Sequence, residues 1–277
     1  MDFSPLRDGG KEPLLIVKIG GNIIDDEEKL SSFLSLFASI EGNKILVHGG
    51  GKLATQLASQ LGIEQQLING RRITDAETLK IVTMVYAGYI NKNIVAQLQS
   101  HNCNAIGLTG VDGNLLQAHK RLLDSPLGDG GIDYGFVGDI DAVNSGLLQD
   151  LLEENISMVI APITHTKEGQ LLNTNADTVA QEIAKAMSKI YNVTLVYSFE
   201  KSGVLENSED DTTVIKQINQ ESYKDLKQKG VIFAGMIPKL DNAFTALNSG
   251  VKKIIIGKAE HIHQLIKGEA GTTIINK

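Results

Sequence analysis

Short apolar runs alternate with helical periods along this chain, and this alternation limits the possible fold more than any other feature. Such a pattern is typical of a mainly parallel sheet whose two faces are covered by helices. We therefore predict an α/β fold. The predicted strands are residues 14–19, 44–47, 105–109, 158–163, 193–199 and 253–256.

The segments between these runs predict several helices and one irregular region. Thr74 and Glu77 match a capping box at the start of a long helix, and Pro238 opens a helix that ends before Gly250. Residues 111–141 are rich in Gly and Asp, which predicts hairpins and a mobile loop. Two sets of apolar residues at helical spacing predict helices that face the core. The first is Leu30, Phe33, Leu34 and Phe37, and the second is Leu53, Leu57 and Leu61. Gly62 is the predicted end of the second helix.

Two of the predicted strands end in glycines. The strand at 44–47 leads into three glycines at 49–51 and then into an amphipathic helix, and Lys18 precedes a glycine pair at 20–21. Glycines let the backbone approach a ligand closely, and a helix N-terminus offers free N–H groups and a partial positive charge. The two glycine-rich strand ends therefore predict two anions held side by side.

A dinucleotide fingerprint is the alternative interpretation of the second glycine turn. Gly49, Gly51 and Ala54 have the spacing GxGxxA, which would make the chain an NAD-dependent oxidoreductase. That fingerprint needs an acidic residue at the end of the next strand, and the sequence there, INGRRIT, has none. The P-loop pattern, GxxxxGK followed by Ser or Thr, is also missing from the sequence.

Composition argues against several classes of function. A net charge of −7 disfavours a nucleic-acid partner, because binding a phosphate backbone requires a basic face. The single cysteine, Cys103, excludes an internal disulfide and fits a reducing compartment. His261 and His263 are two residues apart, so on a helix they point in different directions and predict no metal site.

The sequence contains no secretory or membrane-spanning pattern, and we expect a cytoplasmic protein.

Several polar residues lie at the junctions between predicted strands and the helices or loops that follow them. Asp177 falls in the first turn of a helix, where it could be a structural cap or a functional carboxylate. Lys239 also falls in a first turn, where a cation is unfavourable for the helix dipole and is better explained by an external anion. Arg72 carries the planar fork that suits a carboxylate or a phosphate, although it could also be a plain surface arginine.

Five strings carry a resemblance to a known family: LLIVKIGGN, ILVHGGG, NGRRITDAE, LLNTNADTVA and GMIPKLDNA. In this order and spacing they resemble the amino acid kinase family, and within it the branch that phosphorylates the γ-carboxylate of N-acetyl-L-glutamate. The resemblance implies an open three-layer αβα sandwich with a mainly parallel central sheet. It also implies a homodimer, a role in arginine biosynthesis, an acylglutamate-binding and dimerising lobe at 14–172, and an ATP-binding lobe at 173–277.

The resemblance assigns roles to individual residues. Lys18 and Lys239 would stabilise the transferring phosphoryl group, and Asp177 would orient both lysines. Arg72 and Asn173 would bind the α-carboxylate of the acceptor.

Backbone N–H groups would come from Gly20 and Gly21, and from Gly50 and Gly51 next to the reacting carboxylate. The expected nucleotide-binding stretches contain Glu200, Lys201, Ser202, Gly203, Val204 and Leu205, and then Val231, Ile232, Phe233, Gly235 and Met236.

The chemistry implied by the resemblance needs no catalytic base. A γ-carboxylate with a pKa of about 4.3 is already ionised at neutral pH and can attack a phosphoryl group directly. The site must then align two anions and offset their repulsion with lysines, backbone amides and Mg²⁺ carried by ATP.

The sequence departs from the family pattern at three places. Arg71 replaces an apolar residue, so N-succinyl-L-glutamate is an alternative acceptor whose second carboxylate Arg71 would contact; the other interpretation is that Arg71 faces solvent. Residues 200–203 read EKSG where the family usually has an Asp-Val-x-Gly turn, which leaves the contacts to ribose and base open. Only thirteen residues, broken by Pro and Gly, precede the first predicted strand.

Arginine-inhibited members of the family carry an additional N-terminal helix that links dimers into a hexamer. We therefore expect a dimer that arginine does not inhibit. A non-catalytic amino-acid sensor on the same scaffold is a further alternative, and retention of Lys18, Asp177 and Lys239 argues against it.

Overall fold

The computed structural model describes residues 10–50, 52–63, 67–68, 71–123, 132–198, 200–207, 209–232 and 236–276. The strands are β1 (Pro13–Ile19), β2 (Asn43–His48), β3 (Leu67–Ile68), β4 (Arg71–Arg72), β5 (Ala105–Thr109), β6 (Leu116–Leu123), β7 (Ile132–Val143), β8 (Ser157–Ala161), β9 (Ile163–His165), β10 (Leu171–Asn173), β11 (Asn192–Ser198), β12 (Gln217–Ile218), β13 (Lys253–Gly257) and β14 (Thr272–Ile274).

The helices run between these strands. They are α1 (Gly21–Ile24), α2 (Glu27–Ala38), α3 (Leu53–Gln60), α4 (Ala76–Thr83), α5 (Asn91–Ser100), α6 (Ser145–Glu153), α7 (Ala176–Met187), α8 (Gln220–Gln228), α9 (Ile237–Asn248) and α10 (Ile262–Lys267). A π-helical stretch, Met84–Ile90, joins α4 to α5, and short 3₁₀ turns lie at Asp112–Asn114 and Ala259–His261.

The central sheet has the order β12-β14-β13-β11-β1-β2-β8-β5. Neighbouring strands are parallel throughout except for the antiparallel pair β13 and β14. Lys18 of β1 lies beside Val47 of β2 and Tyr197 of β11, so the carboxyl ends of these central strands lie level with one another. Ligands of open α/β sheets bind at this edge.

Two apolar cores cover the two faces of the sheet. Along β1, Leu14 and Ile16 belong to one core, whereas Val17 and Ile19 belong to the other. Side chains of α6, α7 and α9 pack in the first core, and those of α2, α4, α5 and α10 pack in the second. The chain therefore forms the three αβα layers that the alternation and the family resemblance predict.

A small closed barrel of β6, β7, β9 and β10 stands beside the central sheet. The antiparallel pair β6 and β7 confirms a hairpin within residues 111–141, although residues 124–131 of that predicted loop lie outside the described residues. The predicted strand at 158–163 is divided into β8 and β9. Pro162 lies at the division, because proline cannot donate a hydrogen bond to a strand ladder.

Two helix predictions are corrected. The N-cap of α4 is Asp75, whose Oδ1 accepts from Thr78 N at 2.7 Å, and not Thr74, which pairs with Gly135 of β7 instead. In α3, Leu53 and Leu57 are half-buried and pack against the second core as predicted, but Leu61 is 59% exposed, and the fully buried positions are Ala54 and Ala58. The stripe at 30, 33, 34 and 37 is fully buried, as predicted.

No helix among the described residues has the length and apolarity needed to span a membrane.

Candidate functional site

A cleft opens at the carboxyl edge of the central sheet, between the glycine turns and the barrel. Its lining contains most of the residues that the sequence singled out on the acceptor side, together with several that it did not. The lining residues are Lys18, Gly20, Gly21, Gly49, Gly50, Arg72, Tyr86, Val137, Pro162, Asn173, Thr174, Asn175, Ala176 and Asp177.

Asp177 joins two lysines that are far apart in sequence. Lys18, near the end of β1, places its Nζ 2.7 Å from Asp177 Oδ1. Lys239, in the first turn of α9, places its Nζ 3.2 Å from Asp177 Oδ2. The two ammonium groups therefore converge on one carboxylate at the cleft, and the three side chains together carry one net positive charge. That charge favours an incoming anion.

Asp177 is ionised at neutral pH in this arrangement. Burial alone would raise the pKa of its carboxyl group, but the attraction of Lys18 and Lys239 and their hydrogen bonds outweigh burial and lower the pKa to about 2. The lysines therefore keep a charged partner over the whole physiological range of pH.

A neighbouring residue performs the helix-capping role that the sequence left open for Asp177. The N-cap of α7 is Asn175, whose Oδ1 accepts from Asp177 N at 2.8 Å and from Thr178 N at 3.2 Å. Because Asn175 satisfies these backbone donors, the Asp177 carboxylate is available to hold the lysines.

The glycine turns leave space and backbone donors at the cleft. A Cβ atom on Gly20 would lie 3.7 Å from Lys18 Nζ, so the first turn passes directly beside that ammonium group. A Cβ atom on Gly50 would lie 1.6 Å from Cε1 of Tyr86, so no side chain fits at that position. Gly51 lies outside the described residues.

The barrel side of the cleft is held together by Thr74, which is fully buried. Its hydroxyl accepts from Asn173 Nδ2 at 3.1 Å and donates to the carbonyl oxygen of Arg72 at 3.1 Å. Its backbone N–H donates to Tyr134 O at 2.9 Å. The Arg72 guanidinium donates to Thr55 Oγ1 at 2.9 Å. Arg72 and Asn173, predicted to bind one carboxylate, are thus connected through a single hydroxyl.

The structure gives no information on the Arg71 side chain, which lies outside the described part of the chain, as do Phe233 and Gly235. The hypothesis that Arg71 contacts a second carboxylate therefore stays a prediction.

The predicted nucleotide-binding turn is held by hydrogen bonds to Asp211 and Thr272. Asp211 accepts hydrogen bonds from Ser202 Oγ at 2.9 Å and from Lys258 Nζ at 2.5 Å. The N–H of Val204 donates to Thr272 Oγ1 at 2.7 Å. Four predicted nucleotide-binding residues have buried side chains and can offer a ligand mainly their backbone: Val204, Leu205, Ile232 and Met236.

A second cleft brings Glu200 together with residues that sequence reasoning did not select. It is lined by Asn22, Lys29, Glu200, Lys258, Glu260 and His261. Among the described residues, no group of three or more His, Cys, Asp or Glu side chains could hold a metal ion.

Sequence reasoning also missed four residues around the first cleft: His48, Thr74, Tyr86 and Thr174. In the sequence, Tyr86 is one of several apolar positions that follow the cap of a long helix, and Thr74 matches only the cap. His48 stands inside the string ILVHGGG, next to the glycines, which is the signal that could have identified it.

Comparisons with known proteins show what the chain is similar to. Residues 13–258 match the model of the amino acid kinase family. The chain is 58% identical over 255 residues to the acetylglutamate kinase of Cytophaga hutchinsonii, a match that covers 92% of this chain and 95% of the relative. It is 54% identical over 253 residues to the acetylglutamate kinase of Parabacteroides distasonis, covering 91% of this chain and 97% of the relative.

A solved structure shares the fold at low sequence identity. The carbamate kinase of Giardia lamblia bound to AMP-PNP superimposes with a TM-score of 0.67 at 15% identity, covering 97% of this chain and 99% of the other.

Proposed function

Since the chain belongs to the amino acid kinase family, we propose that it transfers the γ-phosphoryl group of ATP to the γ-carboxylate of N-acetyl-L-glutamate, a step of arginine biosynthesis. The two relatives at 58% and 54% identity are both acetylglutamate kinases. The observation that carries the proposal in the structure is the convergence of Lys18 and Lys239 on Asp177 beside the glycine turns.

The proposed reaction is a direct displacement. One oxygen of the ionised γ-carboxylate attacks the γ-phosphorus, the bond from that phosphorus to the bridging oxygen of ADP breaks, and the products are an acyl phosphate and ADP. No proton has to be removed from the nucleophile, because a carboxylate is already charged at neutral pH. The barrier comes from the repulsion of two anions and from charge that spreads over the phosphoryl oxygens.

Lys18 and Lys239 would stabilise that charge from two sides. Each ammonium is oriented by Asp177, which keeps both at the cleft before substrate arrives and so reduces the reorganisation needed in the transition state. Backbone N–H groups of the glycine turns, Gly20, Gly21, Gly50 and Gly51, would add donors without adding bulk.

Arg72 and Asn173 would bind the α-carboxylate of the acceptor. Both line the cleft, and the Thr74 hydroxyl connects them. Thr74 bonds the backbone carbonyl of Arg72 and leaves its guanidinium at the cleft, where it and the Asn173 amide would donate to one carboxylate and so set the position of the reacting γ-carboxylate.

ATP would bind along residues 200–205 and 231–236, at the nucleotide side of Lys239. The Mg²⁺ that we propose would be held by the phosphate oxygens of ATP and would offset their charge. The cleft carboxylate, Asp177, is already committed to two lysines, which fits a metal that arrives with the nucleotide.

The remaining expectations are part of the same proposal. Residues 14–172 would form the acceptor-binding and dimerising lobe and residues 173–277 the ATP-binding lobe of a cytoplasmic homodimer that arginine does not inhibit. Met84 and Tyr89, which are 57% and 62% exposed on the π-helical stretch, support a partner on this face.

The proposal is tested by ADP release from the purified protein with a panel of acceptors: N-acetylglutamate, N-succinylglutamate, glutamate, aspartate, carbamate and UMP. We expect turnover with N-acetylglutamate, and trapping with hydroxylamine should detect the acyl phosphate. A preference for the succinyl compound would support the alternative acceptor. ADP release with none of the six would contradict the kinase assignment.

A further inference from the structure

His48 is a fully buried histidine at the end of β2, directly before the second glycine turn. Its Nδ1 lies 2.7 Å from the carbonyl oxygen of Gly49, and its Nε2 lies 3.2 Å from Nδ2 of Asn91. The imidazole ring therefore connects the glycine turn to α5, an element on the far side of β2.

These contacts determine which ring nitrogen carries the proton. A carbonyl oxygen can only accept, so His48 Nδ1 must donate to Gly49 O. Asn91 Nδ2 also donates to Val159 O at 3.0 Å, which identifies that atom as the amide nitrogen, and so His48 Nε2 must accept from it. The network is complete only with a neutral ring protonated at Nδ1.

The hydrogen bond to Gly49 O also sets the direction of the next N–H. No peptide bond of the described residues is cis, and in a trans peptide the C=O and the following N–H point in opposite directions. Because His48 draws the Gly49 carbonyl toward the buried ring, the N–H of Gly50 points away from the interior. Gly50 lines the cleft that contains Lys18 and Asp177.

Two further contacts keep this peptide unit from rotating. The N–H of Gly49 donates to Ile19 O at 3.1 Å, which joins the turn to the end of β1. On its other side Gly50 packs against the Tyr86 ring so closely that a Cβ atom would overlap it.

We propose that His48 is a positioning residue that, held as its Nδ1–H tautomer by Asn91, aims the Gly50 N–H at the reacting carboxylate of the acceptor. This inference rests on the proposed kinase function and adds to it a rigid backbone donor in the cleft that Lys18 and Asp177 line. Preorganised donors of this kind act on charge that develops in the transition state.

The electrostatics of the ring agree with this role. Burial lowers the pKa of His48 to about 4, with a smaller opposing contribution from its hydrogen bond to Gly49. The ring is therefore neutral at the pH at which an enzyme of the cell interior works, as the accepting Nε2 requires.

The kinetic test compares two substitutions at one position. His48→Leu removes the donor, whereas His48→Asn keeps an N–H near the position of Nδ1. We expect His48→Leu to lower kcat by about a hundredfold, the usual effect of losing one such donor, with the KM for ATP unchanged, and His48→Asn to recover most of the loss. A kcat within threefold of wild type for His48→Leu, or equal losses in both variants, would overturn the proposal.

Leu98→Val is the control for a general loss of stability. Leu98 is fully buried in α5, the same helix that carries Asn91. We expect this variant to lower the thermal midpoint while kcat stays within twofold. A loss of kcat in Leu98→Val as large as that in His48→Leu would assign the effect to stability and contradict the positioning role.

A measurement on the wild-type protein tests the tautomer without any substitution. Long-range ¹H–¹⁵N correlation spectra distinguish Nδ1–H, Nε2–H and the imidazolium ion by the nitrogen shifts. We expect Nδ1–H for His48 at pH 7, and either other form would overturn the inference. Because this result does not depend on turnover, a protein that releases no ADP would contradict the proposed function, and the spectrum would still decide the His48 arrangement.

Discussion

The proposed acceptor side and the proposed nucleotide side of the site are held in different ways. On the acceptor side, buried polar groups fix the residues that would contact substrate: Thr74 joins Arg72 to Asn173, and His48 fixes the second glycine turn. On the nucleotide side, the turn at 200–205 is tied to Asp211, whose partner Lys258 is partly exposed. Buried hydrogen bonds are screened little by salt, whereas exposed ion pairs are screened strongly.

The proposed acceptor side is therefore the more rigid of the two, and the proposed nucleotide side is the more adaptable. The acceptor must be placed within a fraction of an ångström for displacement to occur, and interior hydrogen bonds supply that accuracy. The nucleotide is larger and offers many groups for binding, so its side of the site tolerates a softer attachment. In the proposed assignment Asp177 joins the two sides, because it contacts both Lys18 and Lys239.

The largest expected effect is on kcat, at the two lysines that contact Asp177. Lys18→Ala and Lys239→Ala should each lower kcat by about two hundredfold, about 3 kcal/mol of transition-state stabilisation, because each removes a cation from the developing phosphoryl charge. Steady-state ADP release measures the effect. Lys80→Ala is the control, since Lys80 is exposed and paired with Glu77, and its kcat should stay within twofold. A large loss for only one of the two lysines would assign the chemistry to one side alone.

The second expected effect is on the free energy of unfolding, to which the ionised Asp177 contributes. Asp177 has its pKa lowered from 3.8 to about 2 in the folded protein, so the folded state binds fewer protons than the unfolded state between these values. The stabilisation is therefore complete above about pH 4 and is lost as pH falls toward 2; a shift of this size corresponds to about 2 kcal/mol.

Denaturant unfolding of the wild type and of Asp177→Asn measures this contribution. The difference in unfolding free energy should be about 2 kcal/mol at pH 7 and should shrink by roughly half by pH 3. Asp150→Asn, a change at an exposed carboxylate of α6, should show no such difference. A wild-type advantage that stays constant from pH 7 to pH 3 would contradict the paired state of Asp177.

The third effect is confined to the acceptor side. Arg72→Lys should raise the KM for the acceptor about tenfold, roughly 1.4 kcal/mol, because lysine cannot reproduce the fork of donors. The KM for ATP should not change by more than twofold. Arg121→Lys, at an arginine of the barrel that pairs with Asp139, serves as the matched control. Equal changes in both KM values would remove the distinction between the two sides.

The smallest effect is expected on the nucleotide side. Hydrogen bonds from Lys258 and Ser202 lower the pKa of Asp211 to about 2, so Asp211 is ionised at neutral pH. Asp211→Asn should weaken the attachment of the turn and raise the KM for ATP about threefold, the size expected for an exposed ion pair, with kcat within twofold.

High salt should raise the KM for ATP in the wild type, as the Asp211→Asn substitution does. Raising the ionic strength from about 0.05 M to about 0.5 M should increase the KM for ATP in the wild type and change it less in Asp211→Asn, because the variant has lost the screened pair. A larger salt effect in the variant than in the wild type would contradict this assignment.

Features that depend on neighbours in sequence were predicted well. Six of the eight strands of the central sheet, the glycine turns and the position of Lys239 in the first turn of a helix follow from apolar runs, glycine and proline, whereas the short strands β12 and β14 were not predicted. One error arose between two neighbouring cap candidates and was decided by a distant contact. A capping box at Thr74 competes with a cap by Asp75 one residue later, and the β-bridge from Thr74 to Gly135 decides between them.

Contacts between distant parts of the chain could not be predicted from pattern alone. Thr74 and Asn173 are separated by 99 residues, and His48 and Asn91 by 43. Each of these polar groups has an ordinary local explanation in the sequence, and only the fold pairs it with a partner. Thr74, His48 and Asn91 were therefore missed, whereas Asp177 and the residues expected to contact substrate came from the family resemblance.

The most direct test of the central claim is a double-mutant cycle on kcat for Lys18 and Lys239. If both ammonium groups act on one phosphoryl group and share Asp177, their effects are not independent, and the double variant should lie within tenfold of the worse single variant. Losses that multiply across the cycle, or near-normal turnover in either single variant, would contradict the account.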